Sequence, residues 1–306
     1  MSTPREQRGV VVIVALLIVA LAATTAAFML QQQDVSARQL EAARDYEQAR
    51  WMLKGGMHWA RNILAEDARD SSVDHGRELW AGGLAPTQVE QGRISGEIRD
   101  QQGLFNLNNL AREGKSSERD IAALKRLLRT LALHADIAEA IADWIDADSN
   151  ANPRGAEDAH YLRLPAPYRA SNRPMTDMND LLRVRGIDEA ALARLRQFAT
   201  VLPRRTPVNV NLAPPEVLAA VVEGLTLAEA QILANSRTAA PFQNPENFRS
   251  RLPRRELEAR DDEVSANSQF FLVEGRAQIG KADLRISALL QRIGAGLPTI
   301  VWQRLS

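Results

Sequence analysis

GRISGEIRDQ, residues 92–101, sets Ile94 and Ile98 among polar and charged neighbours and is followed by Gly103. That alternation is a short β-strand. The strand-like runs that could pair with it lie far down the chain, at Ser268 to Ile279, Asp283 to Ile293 and Thr299 to Leu305, which contain FFLVEGRAQI, DLRISALLQRI and TIVWQRL. A strand left alone leaves its backbone N–H and C=O groups unpaired. Residues 92–101 are therefore expected to join the C-terminal runs in one antiparallel sheet, and everything between becomes an insertion.

Working outward towards the N-terminus, VVVIVALLIVALAATTAAFML, Val10 to Leu30, holds no charge. At 1.5 Å per residue a helix of that length spans roughly 30 Å, enough to cross a bilayer. Arg5 and Arg8 outweigh Glu6 in the leader MSTPREQRG, which keeps the leader cytoplasmic and sends the bulk of the chain across. From Gln31 to about Asp67 the chain is rich in Ala, Arg, Gln, Glu and Leu and has no proline, so the helix is expected to continue. Leu40, Ala43, Ala49, Met52, Leu53, Trp59, Ile63 and Leu64 form its loose apolar stripe, and Gly55-Gly56 is its weak point.

A short basic leader ending in glycine directly against an apolar run, Arg8-Gly9-Val10, resembles the type IV prepilin leader. The resemblance implies cleavage between Gly9 and Val10 by prepilin peptidase and a mature, methylated N-terminus at Val10. A secretory signal peptide cut near Ala27 is the competing reading. Pilins and pseudopilins mostly carry glutamate at the fifth mature position, where this chain has Val14. Component K of the type II secretion system is a minor pseudopilin that lacks that glutamate and is large, and a helix followed by a sheet with a helical insertion is similar to it. The fold expected is α+β: a long N-terminal transmembrane helix and a pilin-like head with an antiparallel sheet, interrupted by a large all-α insertion. Its parts are a leader at 1–9, a membrane helix at 10–30, the helix continuation and first part of the head at 31–107, the insertion at 108–260, and completing strands at 261–306. The resemblance further implies a place at the pseudopilus tip with components I and J, and with H, contact with the secretion platform, and an inner-membrane, single-pass location with a periplasmic bulk.

Within the insertion the helical runs are Glu118 to Leu131, Ile137 to Trp144, Met178 to Leu182, Glu189 to Val201, Pro215 to Val222, Leu227 to Ala234 and Pro245 to Arg251. Two segments, Asp180 to Phe198 and Val217 to Arg237, each read as helix, glycine-centred turn, helix. They resemble the helix-hairpin-helix (SAM-like) units of competence DNA receptors, which supplies the alternative function, a membrane-tethered DNA-binding protein. Their turns, Arg185-Gly186-Ile187-Asp188 and Glu223-Gly224-Leu225-Thr226, lack the second glycine that presents backbone N–H groups to phosphate. Thr206 to Ser250 holds two arginines against four glutamates, and the whole chain has a formal net charge of +0, so no nucleic-acid partner is expected.

DWIDADSNANPRGAEDAHY, Asp143 to Tyr161, is the densest group of oxygen ligands in the chain. Counted from Asp146, Asp148 and Asn150 fall third and fifth and Glu157 twelfth, the spacing of an EF-hand. Ala151 stands where that loop's sharp turn needs glycine, and Pro153 breaks its geometry. A calcium loop of another form remains, with Asp143, Asp146, Asp148, Asn150, Glu157 and Asp158 as candidate ligands and Gly155 in the turn; component K is known as a calcium-binding pseudopilin. The competing reading is a polar turn whose Asp and Asn side chains cap helices. His58, His75, His134 and His160 are scattered, the chain has no cysteine, and no nucleophile elbow, Walker loop, dinucleotide fingerprint or HExxH occurs. No catalytic site is expected, and the protein is not expected to be an enzyme.

Overall fold

A computed structural model describes residues 6–90 and 92–306. Met1 to Arg5 of the leader lie outside the described residues. Helix α1 runs Glu6–Asp70, unbroken through Gly55-Gly56. Its apolar N-terminal half is exposed on every side, and a window there passes the length and hydropathy test for one membrane span. From Ala49 onward one face is buried: Ala49, Leu53, Met57, Ala60 and Leu64 recur every three or four residues and pack on the sheet. Burying a side chain such as Leu53 contributes about 1.5–3 kcal/mol. Leu40 and Trp59, expected in the stripe, are exposed, because the sheet covers only the face that Leu53 defines.

The sheet has five strands, β1 (Leu84–Val89), β2 (Gly92–Asp100), β3 (Phe270–Ile279), β4 (Ala282–Gln291) and β5 (Thr299–Leu305), in the spatial order of the chain and all antiparallel. The distant pairing expected for residues 92–101 is present: Arg93 faces Gln278, Ile98 faces Val273 and Asp100 faces Phe271. Strand β1 is an addition to the sequence reading. Only one of its sides is paired, which tolerates Pro86, and its ladder shifts register between Leu84 and Thr87.

Between β2 and β3, residues 101–269 carry α2 (Glu118–Thr130), α3 (Ile137–Ile145), α4 (Asp158–Tyr161), α5 (Glu189–Leu195), α6 (Pro215–Val221), α7 (Leu227–Ala239) and α8 (Pro245–Ser250), with a 3-10 turn at Met178–Arg183. The insertion is not wholly α. Helix α5 ends at Leu195, short of the expected Val201, because Ala199 and Thr200 pair in parallel with Phe105 and Asn106, where the ladder satisfies their backbone groups instead. Val208 and Asn209 pair likewise with Val264 and Ser265. A hydrophobic core from Phe105 to Val264 belongs to the insertion, a second to α1 and the sheet, and Leu202, Phe270 and Leu289 form a small cluster where the two meet.

Candidate metal centre

Helix α3 is buried along its whole length, which carries Asp143 and the residue that ends it, Asp146, into the insertion. Glu157 precedes α4 and returns to the same place. The three carboxylates are 0%, 1% and 4% exposed respectively. Such burial costs several kcal/mol per charge unless partners compensate. Asp143 has partners: the Asn152 backbone N–H donates to it at 3.1 Å and the Asn152 Nδ2 at 2.5 Å. Asp146 Oδ2 accepts from Ser116 Oγ at 2.7 Å, while its Oδ1 is buried with no partner. Both oxygens of Glu157 are buried with no partner.

The electrostatics follow. Burial, reinforced by the charges of Asp143 and Asp146, pushes the Glu157 carboxyl up to about 7. Burial raises Asp146 to about 6, helped by Asp148 and Asp143 against the Ser116 hydrogen bond. Burial raises Asp143 as well, opposed by the hydrogen bonds from Asn152 and Ala156. Buried polar atoms are nearly always satisfied in native proteins. Three orphaned carboxylate oxygens near the buried Asp143 are groups that a hard cation such as calcium, which takes about six to eight oxygens, would satisfy, although the oxygens of Asp143, Asp146 and Glu157 do not all lie within 4.8 Å of one another.

The other expected ligands divide. Asp148 and Asn150 are exposed on the rim, Asp148 accepting from the Asn150 backbone N–H at 2.7 Å. Asp158 is engaged elsewhere, its Oδ1 accepting from the Ala170 backbone N–H at 2.9 Å and its Oδ2 lying 3.7 Å from Arg169. Gly155 closes the turn by donating to the Asn152 carbonyl at 2.9 Å, without a positive φ. Its missing side chain matters for clearance instead, since a Cβ there would collide with the Asp143 carboxylate.

A second carboxylate group escaped the sequence reading. Asp67, Asp74 and Glu78 present oxygens within 4.8 Å of one another. Arg292 already supplies their positive charge: it donates to Asp67 at 2.7 Å, to Asp74, and to the carbonyls of Ser268 and Leu64 at 3.0 and 3.3 Å. Burial still pushes Glu78 up to about 7. This group is an ion-paired joint between α1, the sheet and the end of the insertion. Asp67 and Arg292 are 225 positions apart in the chain, so no local motif could have signalled it.

In both glycine-centred turns the neighbouring side chains are used for helix capping. Gly186 and Gly224 take positive φ, 86° and 79°, which any side chain would strain. Asp188 then accepts from the Ala191 N–H at 2.7 Å, and Thr226 forms a capping box with Glu229. The residues standing in place of the second glycines cap helices.

Two family models match the chain, both described as "Type II secretion system (T2SS), protein K", one over residues 103–204 and the other over 208–268. The Type II secretion system protein K of Pseudomonas aeruginosa is 32% identical over 250 residues, covering 78% of this chain and 74% of that protein. The Klebsiella pneumoniae protein of the same name is 30% identical over 263 residues, covering 81% of each. Among solved structures, a chain of the GspK-GspI-GspJ complex from the enterotoxigenic Escherichia coli Type 2 Secretion System matches with a TM-score of 0.70 at 21% identity, covering 88% of this chain and 99% of that one. At that identity the match speaks for the fold.

Proposed function

The chain belongs to the type II secretion system protein K family, and from that premise we propose that it is a minor pseudopilin at the tip of the periplasmic pseudopilus, supporting export of folded proteins and catalysing no reaction. The observation that carries this reading is the closing of β2 on β3 around residues 101–269, which sets the matched insertion on a head carried by a membrane-length helix. Val14, where most pseudopilins have glutamate, suits a subunit with no neighbour ahead of it. In that position the chain would meet components I and J, and H, through α1 and its head. Prepilin peptidase would release it at Gly9/Val10, leaving the N-terminus cytoplasmic, the anchor in the inner membrane and the bulk periplasmic. The two helix–turn–helix units serve as structural helix-hairpin-helix packing units.

Asp143, Asp146 and Glu157 are the residues that would hold a calcium ion, with Asp148 and Asn150 on the rim. The ion would neutralise buried charge and tie the 146–157 loop to α3. The chain's own part is to keep Asp143 oriented through Asn152 and to leave room for it at Gly155.

Mass analysis of the membrane-extracted chain tests the processing step. A mature chain starting at methylated Val10 is expected, and one starting near Ala27 overturns the reading. Co-purification with components I and J tests the tip assignment, which fails if Val14→Glu and deletion of residues 108–260 both leave complex formation and secretion unchanged.

A further inference from the structure

Residues 162–177, between α4 and the Met178–Arg183 turn, form neither helix nor strand. Loops longer than about 12–15 residues without secondary structure are uncommon in compact domains and often functional. This one is held in shape along its length. Tyr168 Oη donates to the Arg183 carbonyl at 2.8 Å, Ala170 N–H to Asp158, Asn172 N–H to the Trp144 carbonyl at 3.0 Å, and Asn172 Nδ2 to the Asp148 carbonyl at 2.9 Å. Met175 N–H and carbonyl both pair with the Asn108 side chain at 2.9 Å. Asn172 sits at φ 45°, a left-handed conformation that is rare outside glycine and is kept here by its two hydrogen bonds.

The loop walls a cleft of about 700 Å³, within the size range of ligand sites. Trp144 and Tyr168 line it, their rings meeting edge to face at 6.1 Å. Arg169, Arg173 and Arg183 line it too, against one acid, Asp180, whose Oδ2 is bound to the Thr176 and Asp177 N–H groups. Among the described residues no carboxylate oxygen lies within 4.0 Å of the charged nitrogens of Arg173 or Arg183, and Arg169 has only its 3.7 Å contact to Asp158. Three guanidiniums, two without a partner, in a pre-shaped concavity with an aromatic wall are a built receptor for carboxylates, because the planar fork binds them bidentately.

We propose that this cleft binds an acidic, extended polypeptide segment, holding its carboxylates on Arg169, Arg173 and Arg183 and an apolar or aromatic side chain against Tyr168, which the buried Trp144 backs. A nucleic acid suits it less well, since Asp148 and Asp158 stand on the neighbouring loop and would repel a continuous run of phosphates. The inference goes beyond family membership and stands on this geometry alone.

The test is fluorescence anisotropy of a fluorescein-labelled poly-glutamate peptide titrated with the full-length chain in detergent. Poly-glutamine and a single-stranded oligonucleotide serve as comparison probes. Salt-sensitive binding of poly-glutamate is expected, weakened about tenfold or more by Arg173→Glu with Arg183→Glu and unchanged by Arg77→Glu, an exposed arginine outside the cleft. Cooperative melting of the variants checks folding, and the single Arg183→Gln change serves if the double variant does not fold. Equal binding of poly-glutamate and poly-glutamine, no binding, an unchanged affinity in the cleft variants, or tighter oligonucleotide binding lost in those variants would each overturn the proposal.

Discussion

Arg292 shows how much one buried residue can join. It bridges Asp67 on α1 and Asp74 in the loop that follows, donates to the carbonyl of Ser268 at the end of the insertion, and stacks on Phe271 at 4.7 Å. Arg292→Ala would leave two acids buried without their cation. A loss of about 3–5 kcal/mol in unfolding free energy is expected, read from urea denaturation of the detergent-solubilised chain. Glu78 beside it gives a pH-dependent signature. Burial pushes its carboxyl up to about 7 in the folded chain from an ordinary value of 4.5, so the folded state holds the proton more tightly than the unfolded one. Its penalty is absent below about pH 4.5, grows as pH rises towards 7 and is complete above that. Glu78→Gln keeps an acceptor for the His75 and Trp80 N–H groups and removes the charge. The variant is expected to melt higher than the parent at pH 8 and at the same temperature at pH 4; equal melting at both would refute this account. At the candidate metal centre, Gly155→Ala is expected to displace Asp143 and, if the proposed ion is bound there, to reduce or abolish stabilisation by calcium in a thermal melt with and without chelator.

At the scale of elements, hydrophobic pattern and capping chemistry account for most of what formed. Helix α7 begins where Thr226 and Glu229 close a capping box, with Arg254 also paired to Glu229 at 3.0 Å. Thr226→Ala should cost about 1 kcal/mol, measured by chemical denaturation. In α1, Leu53→Ala opens a void between helix and sheet and should cost about 2–5 kcal/mol in the same assay. The membrane segment, the continuing helix, β2 with its distant partners and most insertion helices could be read from period and composition. The misses have physical causes. Strand β1 contains Pro86 and only one side is paired, so its sequence has no clean alternation. Past the end of α5, Gln197 to Val201 is compatible with a helix, and only the Phe105 and Asn106 ladder turns Ala199 and Thr200 into a strand. Trp59 and Leu40 satisfy an apolar stripe numerically, yet which face is covered depends on where the sheet lies.

For the whole molecule, the division into two cores carries the prediction. The insertion core closes on itself from Phe105 to Val264 and meets the head mainly at a small cluster and the Arg292 joint. Residues 101–269 expressed alone are therefore expected to unfold cooperatively, with helical far-ultraviolet dichroism; a non-cooperative melt would contradict that. Local sequence determined the membrane-length helix, the strand periodicity, the caps and the acidic loop, because each rests on residues within a few turns of one another. Tertiary structure decided which carboxylates are stranded without partners, that Arg292 neutralises Asp67 and Asp74, and that three arginines share a cleft with Trp144 and Tyr168. These depend on burial and on neighbours brought together across more than two hundred residues, and desolvation has no signature in a string of letters until the fold removes the water.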